Sequence, residues 1–286
     1  MQHRRLGDAT VGAIGLGAMP LSFQERPPRA QSIATIHAAL DEGVTLVDTA
    51  DAYTPDDRPL GHNEELVAEA LAGYGRAGDD VIVATKGGHT RDGADWHLNG
   101  RPDYLRRACE GSLRRLRVDA IGLYQHHRPD PAVPYEDSMG ALKGLLEAGL
   151  IVRAGISNAN IDQIGIAVEI LGAGLVAVQN EFSPKFRSSE TELELCTELG
   201  LAFLPWSPLG GSSSAKDLGS AYRPFAAVGE RHDVSPQRVC LAWMLAKSPA
   251  VIPIPGASRP ATIRDSAAAA DLELSAAEIE ELDATR

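Results

Sequence analysis

The sequence predicts an α/β protein built as one (β/α)8 TIM barrel spanning residues 1–286. Three observations point there. Short β-type runs alternate with longer amphipathic ones, and strict alternation implies a parallel sheet, because each parallel crossover needs roughly a dozen residues, usually a helix. Eight such units can be marked out in 286 residues, which favours a closed barrel over an open doubly wound sheet. No Pro/Gly/Ser-rich linker divides the pattern, so a single domain is expected.

The units run in order. "AIGLGAM" is the first strand-like run, and Ile33, Ile36 and Leu40 then recur at helical spacing in "AQSIATIHAALDEG", with Gly43 as its stop. "VTLVDTA" and the helical "NEELVAEALAGY" form the second unit, and "DVIVATKGG" with "RPDYLRRACEGSLRRL" the third, its proline near the helix start. "AIGLYQHH" leads to "PYEDSMGALKGLLEAG", "IVRAGISN" to "NIDQIGIAVEILGAG", and "LVAVQNEF" to "SETELELCTELG". "LAFLPWSP" precedes "SPQRVCLAWMLAKS", and "AVIPIPGAS" precedes "ATIRDSAAAADL". The tail "LSAAEIEELDATR" reads as one more exposed helix outside the barrel. "GAGLVA" fits G-x-G-x-x-A but follows a helix and opens a strand, the reverse of a Rossmann turn, so it reads as a helix stop.

Composition narrows the function. With 44% hydrophobic and 23% charged residues, the chain can bury a core. Its 27 Lys+Arg against 39 Asp+Glu give a net charge of -12, which disfavours nucleic acid and anionic membranes as partners. Cys109, Cys196 and Cys240 are isolated, with no metal-ligand spacing around them, so neither a disulfide framework nor a zinc site is expected and a reducing cytoplasm fits. The N-terminus has early positive charge and a short apolar stretch, but Gly12, Gly15 and Gly17 interrupt it and no cleavage site is clear, which argues against a secretory signal.

In a barrel, polar residues just past the C-terminal ends of strands meet at one mouth. That rule selects Asp48, Lys86, His126 and His127, Ser157 and Asn158, Gln179 and Asn180, and Trp206 and Ser207, with Tyr53 in the loop after Asp48. An Asp, a Tyr, a Lys and a His at one mouth make an acid–base machine. A phenol with an ordinary pKa of about 10 donates a proton more readily beside an ammonium, which Lys86 supplies and Asp48 holds in place. The same residues also suit a purely structural ion pair with Tyr53 packed against it, and Ser157–Asn158 equally suits a helix cap.

The motifs "LVDTADAY", "ATKGG", "LYQHHRPDP", "GISN", "VQNEFSP" and "PWSPLGGS", in this order, resemble the aldo-keto reductase superfamily over nearly the whole chain. The resemblance implies a (β/α)8 barrel that binds a nicotinamide dinucleotide at its mouth and reduces carbonyls. It places Asp48, Tyr53, Lys86 and His127 on the catalytic positions. The family strand reads roughly L-Y-x-x-H, so His127 takes the catalytic place and His126 one that is usually apolar; strand alternation agrees, since neighbours face opposite sides. Ser157, Asn158 and Gln179 match the residues that hold the nicotinamide carboxamide, and Trp206 the aromatic that stacks on its ring. Ala18 and Met19, with Ser207 and Leu209, fall near the cofactor in the same alignment of motifs. "IPGASRPATIRDS" resembles the segment that grips the adenosine 2′-phosphate, but many members have Lys-Ser where this chain has Gly256-Ala257. The charge passes to Arg259, with Ser258 and Thr262 as supporting donors, so NADP(H) is expected and NAD(H) stays open.

The reading is therefore an NADP(H)-dependent carbonyl reductase acting on a small aldehyde or ketone, with Tyr53 as general acid and no metal. The long "GGHTRDGADWHLNGRPD" segment is expected as a loop whose Trp96 and His97 wall the substrate pocket. Two other readings stay open: a dinucleotide-binding sensor or auxiliary subunit with little turnover, and an aldolase-type barrel using Lys86 as a Schiff-base amine. Oligomeric state is not legible in the sequence.

Overall fold

A computed structural model of the chain describes all residues except Gln24, Arg76, Ala77, Asp79, Ser212, Ser213 and Arg286. The chain opens with an antiparallel hairpin, β1 (His3–Leu6) and β2 (Ala9–Gly12). The barrel staves follow as β3 (Leu16–Gly17), β4 (Leu46–Asp48) and β5 (Ile82–Gly87). A second hairpin, β6 (His89–Asp92) and β7 (Asp95–Leu98), precedes the staves β8 (Leu123–His126), β9 (Ala154–Ser157), β10 (Leu175–Gln179) and β11 (Ala202–Phe203). All neighbouring staves are parallel, in the order β11-β10-β9-β8-β5-β4-β3.

The eighth stave is residues 251–256, and it closes the ring without forming a regular strand. Val251 bridges Phe203 on one side and Gly256 bridges Gly17 on the other. Its sequence "VIPIPG" shows why: Ile252 and Ile254 donate to Phe203 and Pro205, whereas Pro253 and Pro255 can only accept, from Gly15 and Gly17. Both prolines fall on the side facing β3, so the missing donors weaken one seam only.

Helices α1 (Arg29–Asp41), α2 (His62–Tyr74), α3 (Pro102–Leu116), α4 (Tyr135–Glu147), α5 (Ile161–Leu171) and α6 (Glu190–Leu199) return the chain between staves. Between β11 and the last stave lie α7 (Leu218–Ala221), α8 (Arg223–His232) and α9 (Pro236–Lys247), and α10 (Pro260–Ala267) and α11 (Ala276–Asp283) finish the chain. The sequence reading placed no element at α7 or α8. At α11 the tail is helical as expected, started by a capping box in which Ser275 and Glu278 satisfy each other's backbone amides.

The N-terminal stretch is a hairpin rather than an unstructured lead-in. Leu6 and Val11 enter the barrel interior with Leu46, Ala84, Leu123 and Ile252 and seal its bottom. Gly7 takes φ +64° there, and a side chain would overlap Val176. Period-two alternation then sorts each stave: in β8, Leu123 faces the interior and Tyr124 packs outward against the helices.

Candidate active site

Above the apolar interior layer sits a polar one. Two residues beyond Leu46, Ala84 and Leu123 on the same faces come Asp48, Lys86 and Gln125, and the register sets Asp48 against Ala84 and Lys86 against Gln125. The Lys86 Nζ donates to Asp48 Oδ1 at 2.6 Å, to the Thr49 carbonyl at 2.8 Å and to the Tyr53 hydroxyl at 3.2 Å. The other Asp48 oxygen accepts from Gln179 Nε2 at 2.7 Å and from Gln125 Nε2 at 3.2 Å. All five side chains are buried, so the ion pair is desolvated and every polar atom in it is held by a partner.

The Tyr53 loop is fixed from behind. Asn63, at the start of α2, donates to the Ala18 carbonyl and the Ser22 hydroxyl and accepts from Thr49 Oγ1. Its backbone amide donates to the Tyr53 carbonyl at 3.1 Å. Burial raises the Tyr53 hydroxyl above its ordinary range, with Lys86 pulling the other way and losing. This corrects the expectation that the ammonium would leave the phenol more acidic than usual. The consequence is a phenol that keeps its proton at neutral pH and can give it up to a developing alkoxide. Burial alone would lower Lys86, but Asp48 and Tyr53 outweigh it, so the side chain stays an ammonium.

The two histidines part company as alternation requires. His127 lines the cleft edge-on to Tyr53, with ring centroids 5.7 Å apart. His126 faces away, buried beside Tyr135, and neither of its ring nitrogens has a partner among the described residues. Burial, with Lys86 nearby, holds the His127 ring well below its usual value, and burial takes His126 down to about 4. Both are neutral at physiological pH. His127 Nδ1 is buried without a partner among the described residues, so its proton is best kept on Nε2.

Tyr53 and His127 stand at one end of a cleft of about 350 Å³. Of the residues expected at the cofactor, Met19, Asp48, Ser157, Asn158, Gln179, Trp206, Ser207, Leu209 and Gly256 line it. Ala18 does not: it is buried behind the wall, its amide bonded to the Asp48 carbonyl. Ser258, Arg259 and Thr262 lie past Gly256 around the start of α10, where Arg259 is exposed and Ser258 accepts from Gln31 through its carbonyl. Trp96 lines the cleft, but His97, adjacent in β7, is exposed and outside it; the segment is a hairpin rather than a loop, and alternation separates the two.

Three cleft or network residues were missed: His89, Arg128 and Gln125. His89 packs edge-on to His127 and Trp96 at 4.4 and 5.2 Å between centroids. Gln125 was legible, since it lies in β8 two residues before His127, which follows the strand. Gly155 on the next stave makes room for it, because a Cβ there would come within 2.9 Å of Gln125 Cγ.

The profile of the aldo/keto reductase family matches residues 13–286, with this site inside it. This chain belongs to the aldo/keto reductase family. As a member it is 35% identical over 284 residues to the uncharacterized oxidoreductase C215.11c of Schizosaccharomyces pombe, covering 98% of this chain and 88% of that protein. Among solved structures, the glycerol dehydrogenase of Gluconobacter oxydans superposes on this aldo/keto reductase with a TM-score of 0.84 at 27% identity, covering 98% and 94% of the two chains. An aldo-keto reductase from Klebsiella pneumoniae in complex with NADPH gives 0.82 at 26% identity, covering 99% and 94%. Among the described residues no helix is long and apolar enough to cross a membrane, and no group of His, Cys, Asp or Glu could hold a metal ion.

Proposed function

We propose that this chain is an NADP(H)-dependent reductase of aldehydes or ketones in which Tyr53 is the general acid. The observation that carries the reading is the buried relay Asp48–Lys86–Tyr53 ending beside His127 at the closed end of the cleft. Relatives crystallised with NADP or NADPH support the cofactor.

The residues present fit a nicotinamide. Gln179 turns its amide nitrogen to Asp48, which leaves its carbonyl oxygen for a carboxamide donor. Asn158, at φ +58°, is locked beside it, donating to the His127 carbonyl and Ser157 Oγ at 3.0 Å each. Trp206 offers a flat face whose buried indole N–H has no partner among the described residues. Ser258, Arg259 and Thr262 would meet the 2′-phosphate, with the Arg259 guanidinium as its counter-ion.

When bound, the reduced nicotinamide supplies the hydride. The protein supplies the rest: Tyr53, kept protonated by burial, gives its proton to the carbonyl oxygen, and the Lys86 ammonium stabilises the phenolate left behind. His127, neutral and donating from Nε2, orients that oxygen and shares its developing charge with Tyr53. A Schiff-base role for Lys86 fares worse, since an attacking amine must be neutral and reachable, and Lys86 is a fully buried, triply hydrogen-bonded ammonium.

The test is loss of reduced-nicotinamide absorbance with NADPH or NADH over pyridoxal, methylglyoxal, aromatic aldehydes and simple ketones. Tyr53→Phe should lower kcat by about 10²- to 10⁴-fold while NADPH binding, read by fluorescence titration, stays within about threefold. Turnover that ignores the substitution would sink the assignment; NADPH binding without turnover of any carbonyl would favour a sensor.

A further inference from the structure

Beside Tyr53 and His127, the cleft is also lined by His89, Trp96 and Arg128, with His89 edge-on to both His127 and Trp96. Two of these are flat rings, set edge-on to each other, and Trp96 is held by a stack with Phe23 at 5.9 Å and an interplanar angle of 6°. Arg91 backs that stack, its guanidinium 4.5 Å from the Trp96 ring centre, but Arg91 is neutralised by Asp56 at 2.6 Å.

Arg128 is different. Among the described residues it forms no ion pair; its guanidinium donates to the neutral Asn158 Oδ1 at 3.1 Å. The nearby carboxylates are committed elsewhere or too far away. Asp130 accepts from the Gly100 and Ala132 amides, Asp48 belongs to Lys86, and Glu181 feels the arginine without reaching ion-pair distance. Among the described residues, Asp48 is the one acidic side chain that lines the cleft. A chain of net charge -12 thus presents, among the described residues, a cation with no ion-pair partner close to its reactive histidine and hydrogen-bonded to Asn158.

We propose that His89, Trp96 and Arg128 form a substrate subsite that selects a flat aromatic aldehyde or ketone carrying a carboxylate, which Arg128 binds. This rests on the reductase reading above. The two edge-on rings form an apolar corner against which a planar substrate packs, and the guanidinium meets the carboxylate through paired N–H donors, a geometry a neutral wall cannot offer. Binding energy taken up at this remote anion holds the carbonyl against Tyr53 and His127.

The experiment compares kcat/KM for 2-, 3- and 4-carboxybenzaldehyde with benzaldehyde, in wild type, Arg128→Gln and Arg128→Lys. In wild type the best carboxylated isomer should exceed benzaldehyde, and the ratio should shrink as salt rises. Arg128→Gln, which can still donate to Asn158, should cut that ratio at least tenfold, and Arg128→Lys should restore part of it. A ratio unchanged in Arg128→Gln, or no preference for any carboxylated isomer, overturns the subsite. Binding of the matching hydroxymethylbenzoate against benzyl alcohol, read by tryptophan fluorescence, separates the two proposals. Arg128-dependent binding without turnover keeps the subsite and removes the reductase; turnover without Arg128-dependent selectivity does the reverse.

Discussion

The two ends of this barrel are built on opposite principles. At the bottom, Leu6 and Val11 plug an interior of Leu46, Ala84, Leu123 and Ile252, with no polar side chain among them. At the mouth, two residues further along the same strands, Asp48, Lys86, Gln125 and Gln179 form a buried network in which each side chain constrains the next. The bottom contributes stability through area removed from water. The mouth is expensive to bury and is tolerable only while every partner is in place, so the two ends should respond differently to the same perturbation.

Lys86→Met should show the largest difference. It leaves the Asp48 carboxylate buried against two amides with no cation, which costs about 3–5 kcal/mol, and it removes the charge that stabilises the Tyr53 phenolate. Turnover should fall by about 10²-fold or more, and chemical denaturation should show the loss of stability. Full stability in Lys86→Met would mean that the network does not depend on the ion pair.

Leu6→Ala breaks the other end. The side chain is fully buried, so the loss should be about 2–4 kcal/mol. Because Leu6 belongs to the apolar interior layer and supplies no group to the polar network, kcat for whichever carbonyl is turned over should stay within about twofold at temperatures where the variant is folded. A kcat that fell with stability would mean the plug and the mouth are mechanically coupled.

This contrast also explains what the sequence revealed. Asp48, Lys86 and both histidines stood out as polar residues at the ends of apolar runs, the family resemblance added Tyr53 and chose His127 over His126, and the structure brings Asp48, Tyr53, Lys86 and His127 together. The bottom plug was opaque: "RRLGDATVG" has short strands and a Gly turn but shares its apolar residues with the segment that follows. His97 was misplaced for a related reason, since reading 87–103 as a loop discarded the alternation that turns Trp96 in and His97 out. The α7–α8 segment was missed because its apolar residues are sparse and Gly- and Ser-rich sequence precedes them.

Acid should separate the ends as well. In the unfolded chain His126 titrates near 6.5, whereas in the folded protein burial delays it to about 4. Between those values the unfolded state holds more protons, so this histidine subtracts stability as pH falls, by about 3 kcal/mol at pH 4. His89, also held near 4 but less buried, adds in the same direction. Urea midpoints of wild type and His126→Leu, taken at pH 7, 5.5 and 4.5, should therefore diverge toward acid, with the variant losing less. Parallel slopes would mean that His126 is already solvated.

The smallest effect tests how tightly the network must be closed. Gln125 and Gln179 share one Asp48 oxygen, and Gln179 Nε2 also reaches Gln125 Oε1 at 3.3 Å, so the pair hold each other as well as the carboxylate. Gln125→Leu removes the longer of the two donors and fills the same space against Gly155. Asp48 keeps Gln179 and Lys86, so the cost should be about 1 kcal/mol. With one donor gone, the carboxylate holds more charge and draws Lys86 more strongly, leaving less of the ammonium's field for the phenolate. The expected result is a kcat about five- to tenfold lower and a pH–rate profile displaced to higher pH, with KM little changed. A change confined to KM would show that Gln125 acts through Gln179 and the cofactor rather than through Asp48.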